Sequence, residues 1–566
     1  MTRKTTNTSS FGSAFYVANT MEIFERLAWY GFFALSSIYM TTPVEQGGVG
    51  FTDSQRGALQ GIIPFFLYLL PVLTGALADR YGYKQMFIFS FLIMTPSYYL
   101  LGQAQSFSSF FVAFSMVALG AACFKPVVVG TISRATNDKN RGLGFGIFYT
   151  MVNIGGFIGP LVAGYVRAIS WDAVFVMSAL WIALNFIPVL FFYKEPKVEL
   201  SRAPLSEVLA NAQQVLGNGR FALLVFPCIV LLMLAGTNVV SFSTAFLMIF
   251  GWCVFNFAWT ILIKQPGGVW YQQPVIISNL PFTLYLVLLT GFWTIYNQMF
   301  YTLPLYIRDF VNTADLVNMI NSISPSLTEF FASVNKENIV GLLQTSVSSG
   351  YSAAELTEKL LHLKLAVPQH EINAFISSVG TTDLEQLAAT WIQQYRQINP
   401  EYLINLNFAS IVIAQVVVSV ICQRFRTINV LVAGVLVFSL GMVSLLLTRS
   451  VAISGTVVVV AIIMMAFGEM ITSPKSQEYV ASIAPKSDAA LYMGYYFISM
   501  ALGFLFAGLL SGWGYGYVAK ELGQPETMWL IFALIGVLTS IGLLWFNQVM
   551  KRRTLVQVFD KPLEEV

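Results

Sequence analysis

The chain has 566 residues, of which 56% are hydrophobic and 10% are charged. Soluble proteins carry about 25% charged residues, so the composition excludes an ordinary soluble protein and indicates one that spans a membrane many times. The formal net charge of +3 also argues against nucleic-acid binding, which needs a basic patch on a soluble domain.

Apolar segments of about 20 residues, long enough to cross a bilayer, recur along the chain. The polar start runs directly into the first of them, which predicts a retained anchor and no cleavable signal peptide. The fourteen predicted spans are 15–40, 55–78, 85–104, 107–131, 142–166, 173–193, 220–238, 240–263, 282–310, 401–422, 428–448, 452–478, 489–515 and 526–549.

Basic residues gather in alternate loops, which predicts a multi-pass protein of the plasma (inner) membrane with both termini in the cytoplasm. The opposite loops, such as 41–54 and 104–107, are nearly free of Lys and Arg. The basic residues of the predicted cytoplasmic side are Arg80, Lys84, Arg134, Lys139, Arg141, Lys194, Lys197, Lys264, Arg424, Arg426, Lys486, Lys551, Arg552 and Arg553.

The first span carries three ionisable residues, Glu22, Glu25 and Arg26. Spacings of three and four residues place all three on one helix face. Charges in a membrane are costly, so these groups are expected to face a bundle interior or an aqueous cavity and to serve a function. The alternative is a buried ion cluster that only fixes helix packing.

The second span ends in Gly75-Ala-Leu-Ala-Asp79-Arg80-Tyr-Gly82-Tyr-Lys84. This segment matches the G-x-L-x-D-R-x-G-x-K loop of major facilitator transporters. Acidic and basic residues at helix ends can latch one cytoplasmic state and release it in another. The motif therefore predicts a gate and leaves the substrate open.

Two further charges lie inside spans. Lys125 sits late in an otherwise uncharged helix, and a buried ammonium deprotonates or finds a carboxylate, for which Glu22 and Glu25 are the candidates. Glu469 lies in the second half of the chain. A carboxylate in one half and a cationic cluster in the other suit a zwitterionic ligand bound between the halves near the bilayer midplane.

The polar segment 311–400 lies between two spans, and its S/T-x-x-E pairs predict a small helical extracytoplasmic insertion. We interpret it as a solvated addition without a direct role in transport. Both histidines, His362 and His370, fall here and are predicted to be surface residues and not a metal site. The predicted capping pairs are Ser326 with Glu329, Ser352 with Glu355, and Thr382 with Glu385.

The four cysteines all lie in apolar stretches, so we interpret them as core residues that imply no disulfides. No metal and no cofactor are predicted. The cysteines are Cys123, Cys228, Cys253 and Cys422.

Taken together, the motifs resemble the proton-dependent oligopeptide transporter family of the major facilitator superfamily. Glu22-x-x-Glu25-Arg26 followed by Tyr30-Gly31 is similar to that family's E-x-x-E-R-F-x-Y-Y-G motif. The other matching segments are Lys125-Pro126, Gly144 to Tyr149, Asn153-Ile154-Gly155, Phe292-Trp293, Asn407, Gly468-Glu469, Ser473-Pro474, Ala484-Pro485 and Met493-Gly494.

The chain departs from the family pattern at several positions. Leu27 and Trp29 replace a Phe and a Tyr, Asn407 lacks its following Pro, and Tyr496 stands where a Trp is usual. The departure that changes the chemistry is Asn297, which occupies the position of a carboxylate in the family's F-W-x-x-x-E-Q motif. An amide cannot titrate, so the family's usual proton site is absent here.

The resemblance implies an all-α membrane protein with two six-helix bundles and two extra helices between them. It also implies proton-coupled symport of di- and tripeptides. Implied partners are a small peptide, protons and the lipid bilayer, with a monomeric chain. In this scheme Glu22, Glu25, Arg26 and Lys125 serve proton coupling. The implied substrate residues are Arg26, Tyr30, Tyr68, Lys125, Asn153, Asn297, Asn407 and Glu469.

The predicted organisation is an N-terminal bundle over 1–200, a linker with two extra spans over 201–275, the first helix of the C-terminal bundle over 276–310, the insertion over 311–400, and the rest of that bundle over 401–566. Three alternatives remain open at this stage. One is a transporter of a modified peptide or non-peptide solute, with altered or absent proton coupling because of Asn297. The others are a membrane-embedded enzyme, against which no intramembrane His is found, and a receptor that uses 311–400 as its ligand-binding part.

Overall fold

The computed structural model describes residues 11–136, 140–195, 216–263, 269–378, 383–484 and 489–559. Helices dominate these residues, and the β pairing found among them is a single bridge between Leu365 and Arg396. Several residues named above lie outside the described part, together with the domain boundary predicted at 200 and 201. These residues are Lys139, Lys197, Lys264, Thr382, Pro485 and Lys486.

The first half of the chain folds into six spans. Pro71, which has no backbone N–H, opens α3 and divides the second span into two helices bent by 41°. The turn of π-helix Pro188–Phe192 extends the sixth span. The helices are α1 (Ser13–Thr41), α2 (Asp53–Leu69), α3 (Pro71–Tyr81), α4 (Tyr83–Gln103), α5 (Phe107–Arg134), α6 (Arg141–Arg167) and α7 (Trp171–Leu184).

Two extra helices, α8 (Gly219–Gly236) and α9 (Phe242–Ile263), follow the first half and pack on each other. The Trp252 indole N–H donates to the Leu223 carbonyl at 3.2 Å, and Arg220 lies 5.3 Å from the ring of Trp259. Most of α9 is exposed and apolar, which suits a lipid-facing helix.

The second half begins with a broken span. It runs through α10 (Leu280–Tyr296), α11 (Gln298–Tyr301) and α12 (Leu303–Phe310), and the break at Asn297 lies beside the candidate site described below. The insertion follows, with six helices in its described residues. Its helices are α13 (Ala314–Ile323), α14 (Pro325–Phe331), α15 (Lys336–Ser349), α16 (Ala353–His362), α17 (Gln369–Ser377) and α18 (Leu384–Tyr395).

The remaining spans complete the second half. The tenth span is interrupted at Asn405, and a π-helical stretch, Gly514–Glu521, extends the thirteenth. The helices are α19 (Pro400–Ile404), α20 (Leu406–Cys422), α21 (Thr427–Ser444), α22 (Ser454–Ile483), α23 (Ala489–Trp513) and α24 (Pro525–Phe559).

The number of spans agrees with the sequence prediction. Among the described residues, twelve helices are long and apolar enough to cross a membrane, and the bent pair α2 and α3 forms a thirteenth span. The 29-residue α1 is also long enough, although its three ionisable groups set it apart in composition. Counting α1, the predicted all-α fold of two six-helix halves with two helices between them is confirmed.

The insertion has a hydrophobic cluster of its own, centred on Leu343, Leu360 and Trp391. It lies at the end of the bundle opposite the Asp79 loop, because the loop that follows α1 contacts it through Gln46, whose side chain donates to the Lys359 carbonyl at 3.4 Å. We call this end the insertion end, and the opposite one the motif end.

The two halves meet backbone to backbone at the insertion end. Gly57 and Gly61 of α2 face Gly508 and Gly512 of α23. A Cβ atom added at Gly508 would lie 2.3 Å from the Gly57 carbonyl oxygen, and one at Gly57 would lie 2.4 Å from the Gly508 oxygen. Only glycine permits this approach, which closes the space between the halves at this end.

The structure corrects several local predictions. Cys253 is exposed on α9, whereas Cys123 and Cys422 are buried as predicted. His362 is 93% buried, since its relative exposure is 7%, so the prediction of two surface histidines is wrong for this residue. It closes the amphipathic helix α16, whose apolar face carries the insertion's core, and packs inward with that face.

Of the predicted capping pairs, Ser352 with Glu355 is confirmed. Ser326 is not a cap, because Pro325 already occupies the first turn of α14 and Ser324 precedes it. The helix expected after Thr382 is capped by Asp383, whose carboxylate accepts from the backbone N–H of Glu385 at 3.0 Å.

Candidate functional site

The three charges of α1 form one buried cluster. Arg26 Nε lies 3.1 Å from Glu22 Oε1, and the guanidinium also pairs with the Glu25 carboxylate. The relative exposures of Glu22, Glu25 and Arg26 are 4%, 0% and 5%, so the cluster is shielded from lipid as predicted. Glu22 Oε2 and Glu25 Oε1 are buried and have no hydrogen-bond partner among the described atoms.

Lys125 of α5 reaches the same place from a neighbouring helix. Its Nζ lies 3.9 Å from the ring centre of Tyr68 on α2, a cation–π contact. Lys125 also interacts electrostatically with Glu22, Glu25 and Arg26. The four charged residues predicted to face one centre are therefore brought together.

The opposite wall belongs to the second half of the chain. Asn407 of α20 donates its side-chain N–H to Glu469 Oε2 of α22 at 3.0 Å. The Tyr296 hydroxyl, from the end of α10, also interacts with the Glu469 carboxylate. Glu469 is half-buried and interacts electrostatically with Tyr30 of the first half.

Tyr30 and Phe408 connect the two walls. The guanidinium of Arg26 lies 5.6 Å from the Tyr30 ring centre, and Tyr30 contacts Phe408 edge to face at 4.9 Å. Tyr30 interacts electrostatically with Arg26 and Tyr68 on its own side and with Glu469 on the other. The Arg26 and Lys125 cations, together with the two glutamates that they contact, thus lie across one aromatic layer from the Glu469 carboxylate.

The two remaining predicted asparagines are placed differently. Asn153 of α6 donates its side-chain N–H to the Tyr149 carbonyl at 2.9 Å and is partly exposed. Asn297 is fully buried at the break between α10 and α11 and donates to the Trp293 carbonyl at 2.7 Å. Its neighbour Tyr296 is the residue of that turn that reaches Glu469.

The loop at the motif end is tied within the first half. Arg134 Nη2 donates to Asp79 Oδ1 at 2.7 Å, and the Tyr83 N–H donates to Glu195 Oε1 at 2.7 Å. Lys84 Nζ donates to the Leu190 carbonyl at 3.1 Å.

The turn of this loop depends on a glycine. Gly82 joins α3 to α4 with φ 94°, in the left-handed region where a side chain would be strained. Arg80 lies over Tyr81 at 5.7 Å, and Gly75 packs near Pro126.

Two buried arginines join the halves at the insertion end, and no motif of the sequence indicates these contacts. Arg56 is fully buried and donates to the Tyr301 carbonyl at 3.1 Å and to the Ser511 hydroxyl at 3.0 Å. Arg167 donates to both Glu401 oxygens at 3.0 Å. Arg56 and Arg167 lie at the ends of predicted spans. An arginine at such a position is the feature of the sequence that could have indicated a contact between the halves.

A second charged group surrounds Asp309 at the same end. Arg308 donates to Asp309 Oδ1 at 2.6 Å, and the Tyr515 hydroxyl also bonds that carboxylate. Lys520 lies 3.3 Å from Asp53, which joins the second half to the first. Together with the glycine contact, these bonds hold the insertion end closed.

Comparison with known proteins assigns the chain to a family. The family model of the Major Facilitator Superfamily matches residues 23–335 and 376–562. The chain therefore belongs to the Major Facilitator Superfamily. The unmatched residues between these two ranges, 336–375, belong to the insertion.

Curated relatives include peptide transporters. The chain is 31% identical over 157 residues to the peptide transporter YePEPT of Yersinia enterocolitica, which covers 26% of this chain and 30% of that protein. It is 27% identical over 203 residues to a di-/tripeptide transporter of Lactococcus lactis subsp. cremoris, covering 34% of this chain and 40% of that one. The matches thus span less than half of the relatives' length.

Solved structures share the whole fold. A crystal structure of the peptide transporter POT with sulfate aligns with a TM-score of 0.61 at 18% identity, covering 95% of this chain and 94% of that one. A POT family transporter in complex with 5-aminolevulinic acid aligns with a TM-score of 0.62 at 16% identity, covering 94% and 95%. The resemblance to peptide transporters predicted from the motifs is confirmed by these neighbours and relatives.

Proposed function

We propose that this chain carries small peptides or peptide-like zwitterions across the plasma membrane by alternating access, driven by protons. One observation carries the proposal: Arg26 and Lys125 lie in one half and Glu469 in the other, with Tyr30 between them. A zwitterion with a carboxylate at one end and an amine at the other would complete both walls. The solved relative that binds 5-aminolevulinic acid, a small zwitterion, supports this substrate class.

Proton coupling is supported by the α1 cluster. Arg26 forms ion pairs with two buried carboxylates, those of Glu22 and Glu25. Its single positive charge neutralises one of them, so the other needs Lys125 or a proton as its counter-charge. The unpartnered oxygens, Glu22 Oε2 and Glu25 Oε1, are atoms on which a proton can reside. A substrate carboxylate that binds Arg26 would compete with both glutamates and so link substrate binding to protonation.

The motif end is assigned to the cytoplasm because the basic loops predicted for that side include Arg80, Lys84 and Arg134. The insertion end is then extracytoplasmic, and both termini are cytoplasmic. The contacts between the halves at the insertion end close the site toward the extracytoplasmic side in this state. We propose a monomer, since a single chain supplies every wall of the site.

The test is uptake by proteoliposomes with an imposed pH gradient, screened over dipeptides, tripeptides and non-peptide amino acids. We expect uptake of dialanine that is several-fold faster with an acidic exterior than without a gradient. Lys125→Met should abolish it while expression stays normal. Gradient-driven uptake in Lys125→Met equal to wild type would refute the assigned role.

A second candidate function, facilitated diffusion without proton flux, is favoured by Asn297. The amide has no charge to switch, and it is fully buried against the Trp293 carbonyl. In this case wild type would move solute down its gradient without protons. Measuring pH inside the liposomes during solute-driven flux separates the two functions.

A further inference from the structure

The ion pair between Arg167 and Glu401 is a contact that alternating access has to break. Arg167 ends α6 in the first half, and Glu401 begins α19 in the second. Both side chains are buried, with relative exposures of 8% and 0%. Opening of the insertion end carries Arg167 away, and a buried carboxylate left without a counter-ion is strongly unfavourable.

A second cation, Lys364 of the insertion, faces this pair. Its ammonium interacts with both Arg167 and Glu401, and its Nζ donates to the Ser333 carbonyl at 3.2 Å. Lys364 has φ 66°, one of two non-glycine residues with positive φ among the described residues. A backbone of this kind persists only where its surroundings enforce it.

Lys364 and Glu401 belong to the same rigid part of the molecule. The Gln397 N–H donates to the Lys364 carbonyl at 3.0 Å, only four residues before Glu401. The insertion is tied to α22 because the Asp315 carboxylate accepts from the backbone N–H groups of Gly455 at 3.1 Å and Thr456 at 2.8 Å. Lys364 therefore stays with Glu401 when Arg167 departs.

We propose that Lys364 acts as a proton-binding counter-ion during the transport cycle. When the insertion end opens, protonated Lys364 replaces Arg167 as the partner of Glu401. The proposal rests on the alternating access of the proposed function. It gives the insertion a role in transport, in place of the passive one expected from the sequence.

The protonation state of Lys364 follows from its neighbours. In the closed state burial, followed by repulsion from Arg167, lowers the pKa of Lys364 to about 7, against the attraction of Glu401. In the open state the repulsion is gone and Glu401 remains, so the pKa is higher. The open state then binds more protons than the closed state between pH 7 and that higher value, so acidification through this window favours opening.

The proton has a route from the extracytoplasmic side. A cleft of about 1030 Å³ separates the insertion from the loops of the first half, and both Arg167 and Lys364 line it. Two further groups lie near the pair. Tyr402 interacts electrostatically with both Arg167 and Glu401, and Arg396 donates its Nε–H to the Ile392 carbonyl at 2.9 Å. The other titratable groups that line the cleft are Tyr39, Glu45, Asp172, Glu337, Tyr351, Lys359 and His362.

The experiment measures the distance across the insertion end in reconstituted full-length protein. Spin labels at Val44→Cys in the first half and Ile453→Cys in the second, both at exposed positions, report opening by double electron–electron resonance in protein whose four native cysteines are replaced by serine. In the wild type the long-distance fraction should rise several-fold from pH 9 to pH 7. In Lys364→Met the long-distance fraction should be low and should not change between pH 9 and pH 7. In Lys364→Arg it should also not change with pH, but it should equal the fraction that the wild type reaches at pH 7.

Lys336→Met is the matched control, since this lysine of the insertion is exposed and its ion pair among the described residues is with Glu385 at 3.2 Å; it should behave as wild type. Retention of the wild-type pH dependence in Lys364→Met would overturn the proposal, as would a wild-type distance that does not respond to pH. The labels report opening whether or not peptide is carried, so failed peptide uptake would overturn the proposed function and leave this result standing.

Discussion

Replacing Gly508 by valine should shift the protein from its closed to its open state at the insertion end. A Cβ there would lie 2.3 Å from both the Gly57 oxygen and the Gly61 nitrogen, whereas ordinary contact begins near 3.4 Å. The helices α2 and α23 would have to separate by about 1 Å, and the atoms in the way are backbone atoms that cannot rotate aside.

The size of the effect follows from the penalty of overpacking, about 1–3 kcal/mol. The penalty applies only where the two helices touch, so it raises the free energy of the closed state and leaves the open state unchanged. The ratio of open to closed protein should therefore rise by about 5- to 150-fold.

The spin-label pair at positions 44 and 453 measures this ratio directly. Gly251→Val is the control, because a Cβ at Gly251 on the lipid-facing α9 would meet no atom within 4 Å. Thermal unfolding of both variants checks that the fold is retained. A well-folded Gly508→Val protein with the wild-type distance distribution would refute the idea that the glycine contact holds this end closed.

Three further variants test the site. Glu469→Gln should weaken binding of amine-bearing solutes by at least tenfold and that of their N-acetylated forms little, in a competition assay; equal losses would make Glu469 structural. Glu22→Gln combined with Glu25→Gln should abolish solute-driven proton movement in liposomes while solute exchange continues, and persistence of the proton flux would assign coupling elsewhere. Asn297→Glu should leave that flux unchanged if the α1 glutamates carry it, whereas the appearance of flux only in this variant would favour the uncoupled facilitator.

The sequence predicted the spans and the local chemistry well for physical reasons. Span length is fixed by bilayer thickness, so apolar runs locate the helices within a few residues. The grouping of Glu22, Glu25 and Arg26 follows from helix periodicity alone. The position of Lys125 beside them followed from the cost of burying an ammonium without a carboxylate.

The contacts that close the insertion end could not be predicted in this way. Arg167 and Glu401 are separated by 234 residues, and no local pattern links them. No motif indicates Tyr296, because its neighbour Asn297 occupies the family's carboxylate position. His362 was misjudged because an amphipathic pattern does not show which side of α16 meets the rest of the insertion.

The most direct test of zwitterion binding between the two walls compares three solutes in wild-type proteoliposomes under an inward proton gradient: dialanine, its N-acetylated form and its C-terminal amide. We expect rapid uptake of dialanine and at least tenfold slower uptake of both blocked forms, because each lacks the charge that one wall of the site requires. Equal gradient-driven uptake of all three would contradict the assignment of Arg26 and Lys125 to one end of a zwitterion and Glu469 to the other.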